Sequence, residues 1–128
     1  MKYTISKEQQ YLLIQLNEEK IDAPLAPELK YTFVTLNAEG NRNFVIDLSQ
    51  VKYIDSSGLS ALLIANRLCN DAQGIMVLTC ITDHVMKLIK ISQLDKVLNI
   101  VPTLEEAVEH IAMNEIENNL KNEGSNDE

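Results

Sequence analysis

At 128 residues the chain has the length of one domain, and its 45% apolar content is enough for a core without disulfides or a structural metal. The net charge is −8, with lysines and arginines scattered singly, so the basic stripe demanded by nucleic-acid phosphates or an anionic membrane surface is missing. The excess is evenly divided: residues 114–128 carry five acids and one lysine, residues 1–113 fourteen acids and ten bases.

No stretch approaches the ~18 apolar residues of a membrane span. Met1-Lys2-Tyr3-Thr4-Ile5 leads into no apolar region with a cleavage site, which predicts a cytoplasmic protein. Cys69 and Cys80 form neither a C-x-x-C motif nor a zinc-ligand pattern, and read as reduced thiols.

Taken in order, residues 3–6 and 11–16 predict two short strands joined as a hairpin. Residues 17–22 read as a polar loop. Pro24 and Pro27 suit the first turn of a helix that continues to about Ala38, with Leu29, Phe33 and Leu36 inward and Gly40 as its stop. Phe44-Val45-Ile46-Asp47-Leu48 is a nearly continuous apolar strand, as a buried central position requires. Residues 57–72 predict a second helix, apolar on most faces, so that part of it meets the sheet and the rest a neighbouring helix or a partner. Ile75-Met76-Val77-Leu78 is another buried strand. Thr82 or Asp83 would cap a third helix, with Val85, Leu88 and Ile89 inward. Residues 98–101 form a last strand. Thr103-Leu104-Glu105-Glu106 has the form of a capping box opening a fourth helix through Ala107, Val108, Ile111 and Ile116. The order β-β-α-β-α-β-α-β-α predicts an α/β sandwich with a mixed four- to five-stranded sheet and about four helices. The tail from Met113, with five asparagines in sixteen residues, is expected to fray, which bounds the domain at residues 1–113.

One segment invites a chemical reading: Tyr53-Ile54-Asp55-Ser56-Ser57-Gly58-Leu59, on the loop that opens the second helix. Free amides and the positive dipole end favour an anion there, and Gly58 lets backbone approach closely. From spacing alone the simpler reading is a plain N-cap supplied by Asp55, Ser56 or Ser57. Hydrolase chemistry fits poorly, because the segment departs from G-x-S-x-G and the two histidines, His84 and His110, fall on other helices. Glu18-Glu19 with Asp55 would suit a Mg²⁺-dependent phospho-acceptor, but the β-β opening argues against that fold. No Walker loop, dinucleotide fingerprint or metal-ligand spacing occurs, so no cofactor or metal is expected.

Asp47-Leu48-Ser49, followed by Val51-Lys52-Tyr53-Ile54-Asp55-Ser56-Ser57-Gly58-Leu59, resembles the signature of STAS domains, the fold of the bacterial anti-sigma factor antagonists. The similarity spans roughly residues 3–111. Glu19-Lys20-Ile21-Asp22 resembles the family's first loop, which ends in a functional Asp, though its usual Gly is absent. Ile81-Thr82, Val85, Leu88, Ser92 and Leu94 resemble its third helix. The resemblance implies a non-enzymatic, monomeric regulatory module. It would bind an anti-sigma factor that is also a serine kinase, be switched off by phosphorylation of Ser56 (alternatively Ser57), and be reset by a PP2C-type phosphatase. Asp22, Asp55, Ser56, Ser57, Gly58 and Leu59 would form the partner-binding surface. The alternative is a STAS-like interaction subunit without a phosphorylation cycle, for example in a lipid-transport ABC complex.

Overall fold

The computed structural model describes residues 1–126. A hairpin of β1 (Tyr3–Lys7) and β2 (Leu12–Leu16) opens the chain, followed by β3 (Lys20–Ile21), α1 (Ala26–Ala38), β4 (Phe44–Asp47), β5 (Tyr53–Ile54) and α2 (Ser56–Asp71). Then come β6 (Met76–Thr79), α3 (Asp83–Ile91), a single 3-10 turn (Leu94–Lys96), β7 (Asn99–Val101) and α4 (Leu104–Asn126). Five strands form the main sheet in the order β1-β2-β4-β6-β7. Only the β1–β2 pairing is antiparallel, and β2, β4, β6 and β7 run parallel. This is the predicted α/β sandwich.

Strand alternation distributes the side chains between two layers. Leu12, Ile14 and Leu16 of β2, Phe44 and Ile46 of β4, and Met76 and Leu78 of β6 enter the larger core with Leu29 and Phe33 of α1, Leu62 and Ala65 of α2, and Val85 and Ile89 of α3. On the other face Val45 and Val77 meet Ala107 and Ile111 of α4. The central strands are therefore apolar on both sides, which accounts for their unbroken runs. Because the strand order advances steadily across the sheet, the three crossover helices share one face, and α4 returns across the other. Gly40, at φ +102°, ends α1 in the left-handed conformation that glycine adopts freely.

Three expectations are corrected. The stretch read as a polar loop contains β3, which pairs in parallel with β5, a strand also missed; together they make a two-stranded ladder beside the main sheet. Each is two residues long, too short for periodicity to register. Thr82 occupies the N-cap of α3, but its hydroxyl donates to the Val51 carbonyl at 2.8 Å rather than capping the helix.

The third concerns the tail: α4 does not fray at Met113. Glu115, only 8% exposed, accepts a forked pair of bonds from Arg42 (3.2 and 2.5 Å) and another from the Asn43 amide (2.5 Å). Asn43 also donates to Gln10 O and accepts from Ile75 N–H, so one polar clamp joins α4 to the N-terminal edge of the sheet. Asn118 adds a bond to Gln73 O at 2.6 Å. Composition indicated polarity, and the tertiary fold supplies partners for it. Ile116 continues the helix, as expected, and is 52% exposed. The part of the tail expectation covering residues 127–128 lies outside the described residues. Among the described residues no helix is long and apolar enough to cross a membrane.

Candidate functional site

The parallel strands deliver three loops to their C-terminal edge: residues 17–25 after β2, 48–55 after β4, and 80–82 after β6. The β3–β5 ladder ties the first two together, pairing Lys20 with Tyr53 and Ile21 with Ile54. Asp22 and Asp55, each the next residue in its chain, consequently leave the ladder side by side. The Thr82–Val51 bond draws in the third loop.

Asp55 is the N-cap of α2, with extended backbone (φ −100°, ψ −176°). Its Oδ1 accepts from Gly58 N–H at 3.0 Å, satisfying one of the amides that a helix start leaves open. Its Oδ2 accepts from Ala23 N–H at 3.0 Å, and its own N–H donates to Ile21 O at 3.2 Å. A single carboxylate thus fixes both the helix start and the Asp22 loop. Asp22 contributes its backbone carbonyl, which accepts from Leu25 and Ala26 N–H at the entry to α1; its side chain is half-buried.

Gly58 is required for packing. A Cβ there would stand 2.5 Å from Ile21 O and 2.6 Å from Ile54 Cγ1, so only glycine lets α2 lie directly against the ladder. Leu59 is 8% exposed and belongs to the larger core. Of the six residues predicted to meet a partner, Asp22, Asp55, Ser56 and Ser57 reach the surface at one edge, while Gly58 and Leu59 support them from beneath.

Ser56 is the first residue of α2 and is exposed; Ser57, the second, is half-buried. With Gly58 N–H committed to Asp55, the Ser56 and Ser57 amides remain without intrahelical acceptors, at the positive end of a 16-residue helix. The arrangement combines an exposed hydroxyl, two carboxylates and a helix terminus. It can carry a charge-changing modification without repacking the core.

Beside it, Tyr53 stacks on His84 with ring centroids 6.3 Å apart and planes at 24°. Sequence reasoning missed this pair, which needs β5 and α3 adjacent. A usable signal for the ladder existed in the repeated pattern of an isolated isoleucine before aspartate, Ile21-Asp22 and Ile54-Asp55.

Further along the outer side of α2, a groove of about 510 Å³ is lined by residues including Leu63, Ile64, Asn66, Arg67 and Val97. Asn66 is 6% exposed, and its Oδ1 is buried without a hydrogen-bond partner. This is the face of α2 left over after packing on α1 and the sheet.

Comparison with known proteins gives consistent results. Residues 3–107 match the STAS domain family. Among curated proteins, a proposed anti-sigma factor antagonist of Bordetella bronchiseptica, BtrV, is 32% identical over 76 residues. That alignment spans 59% of this chain and 59% of the curated relative's length. Among solved structures, an anti-sigma factor antagonist from Mycobacterium paratuberculosis superposes with a TM-score of 0.77 at 22% identity, covering 87% of this chain and 93% of that one. The Bacillus cell fate determinant SpoIIAA, solved in its phosphorylated form, gives a TM-score of 0.65 at 18% identity, covering 86% and 99%.

Proposed function

We propose that this chain, which belongs to the STAS domain family, is an anti-sigma factor antagonist-like module controlled through Ser56. In its unmodified form it binds an anti-sigma factor that is also a serine kinase. Phosphorylation of Ser56 breaks that complex, and a PP2C-type phosphatase restores it. The domain catalyses nothing itself, needs no metal or cofactor, and acts as a cytoplasmic monomer.

The observation that carries this reading is the exposed Ser56 hydroxyl at the start of α2, directly after a cap held from both sides. A phosphate there adds about −1.5 to −2 charges and three strong acceptors. The helix terminus, equivalent to about half a positive charge, tolerates it, so the fold need not change. A partner that presents its own carboxylates or an apolar patch there would meet that dianion with like charge or strip it of water, and both are costly. Asp22 and Asp55 already make the surroundings acidic, so the added phosphate sharpens the electrostatic contrast with such a partner.

The exposure of Ser56 against half-buried Ser57 supports Ser56 as the modified residue. The groove lined by Leu63, Ile64 and exposed Val97 supports an interface running on from Ser56 along α2. That BtrV is named as a proposed anti-sigma factor antagonist, and that SpoIIAA has been solved phosphorylated, supports such a cycle on this scaffold.

Peptide mass spectrometry of the protein from its own cells, with a phosphatase-treated control, tests the modification, and binding of Ser56→Asp to the cognate kinase tests its consequence. Phosphate on Ser56 is expected, together with affinity weakened about thirtyfold or more. Phosphate on Ser57 alone would move the switch by one residue. An unmodified protein that co-purifies with an ABC-type ATPase would replace this reading with that of an interaction subunit lacking the cycle.

A further inference from the structure

Past residue 107, where the family match ends, α4 continues and stays docked through Glu115 and Asn118. Its opposite side carries Met113, Ile116 and Leu120, exposed at 57%, 52% and 62%. Their i, i+3, i+7 spacing puts them in one stripe. Docked Ala107, Ile111 and Glu115 follow their own i, i+4, i+8 line on the far side of the same helix. Toward its N-terminal end the stripe opens into a cleft of about 380 Å³ between Val101, Glu106, Glu109, His110 and Met113. Exposed Glu109 continues the line of the stripe toward its N-terminal end, Glu106 and Glu117 line one flank, and Glu105 the opposite shoulder.

From this face we infer a second interaction surface, separate from the Ser56 edge: the outward side of α4 docks a basic amphipathic helix of a partner protein. Charge decides the occupant. A second copy of this chain would bring the same glutamates against these, and an anionic membrane would be repelled in the same way. A helix with an apolar stripe and flanking lysines or arginines covers Met113, Ile116 and Leu120 while pairing the acids. The contact is helix against helix, along roughly 17 Å from Glu109 to Leu120.

The test uses the full chain and two synthetic peptides of about 18 residues, long enough to span the stripe. One has leucines at i, i+3, i+7 with lysines between; the other is identical but with glutamates for the lysines. The expected result is that the lysine peptide alone perturbs backbone amide resonances, centred on residues 106–121, with an affinity that falls as salt rises. Ile116→Lys should weaken it about tenfold or more, and Glu109→Lys with Glu117→Lys should transfer binding to the glutamate peptide. Ser56→Asp should leave it unchanged, so this surface and the Ser56 switch can fail independently. Equal binding of both peptides, binding of neither, or perturbation centred outside α4 would overturn the inference. Concentration-dependent dimerisation that perturbs the same residues without peptide would overturn it in favour of a second copy.

Discussion

Asp55 and Gly58 show how single residues hold the site. The carboxylate of Asp55 bonds to Gly58 N–H and Ala23 N–H, and the missing side chain of Gly58 makes room for Ile21 and Ile54. Gly58→Ala places a methyl group against a backbone carbonyl that cannot rotate away. It should destabilise the fold by about 1–3 kcal/mol in urea denaturation, despite alanine's better helix propensity. A neutral or stabilising result would mean that α2 shifts freely on the ladder. Cys69 allows a test through pH. Burial pushes its thiol from an ordinary 9.0 up to about 12, against a small opposing effect of a backbone hydrogen bond at Phe44. Below pH ~7.5 the thiol is protonated in both states and contributes almost no slope. Between about pH 9 and 12 the unfolded chain loses the proton while the folded chain keeps it, so stability should fall by up to about 1.4 kcal/mol per pH unit. Cys69→Ala should remove that part of the alkaline slope even if it lowers stability overall. The Asp-Ser-Ser-Gly segment was legible at this scale because its residue types and its position before an apolar helix are local facts. That Gly58 serves packing against Ile21 was not, since Ile21 lies 37 positions earlier in the chain.

Among the elements, the four helices and the main strands follow from periodicity and punctuation, whereas β3, β5 and the length of α4 do not. A two-residue strand exists only because a partner strand is present to bond with it. The asparagines and glutamates of the tail resemble those of a disordered segment until Arg42, Asn43 and Gln73 come within reach. The clamp on α4 is open to a direct measurement. Glu115→Ala leaves the Asn43 amide short of an acceptor and frees Arg42, whose side chain is 42% exposed and so recovers water in part. The expected cost is about 1–3 kcal/mol, with amide exchange speeding up most in α4 beyond residue 111. If exchange there is unchanged, Ala107 and Ile111 alone hold the helix. A double-mutant cycle with Arg42→Ala would isolate the pairwise contribution.

The whole molecule is organised with its two sheet edges doing different work. The C-terminal edge gathers the Asp22, Asp55 and Thr82 loops around Ser56, while the N-terminal edge is closed by the Arg42–Asn43–Glu115 clamp. Ser56 therefore lies at the edge opposite the one that anchors α4. The sequence by itself determined the α/β class, the order of the major elements, the acidic character, and the serine-bearing helix start. These depend on side-chain period, turn residues and net charge, all carried by neighbours in the chain. Only the tertiary structure decided that Asp22 stands beside Asp55, that Leu59 is core rather than surface, that α4 persists past Met113, and which of its faces is left open. Those are contacts between residues far apart in sequence, and no local pattern encodes the partner that satisfies a hydrogen bond or fills a gap across the fold.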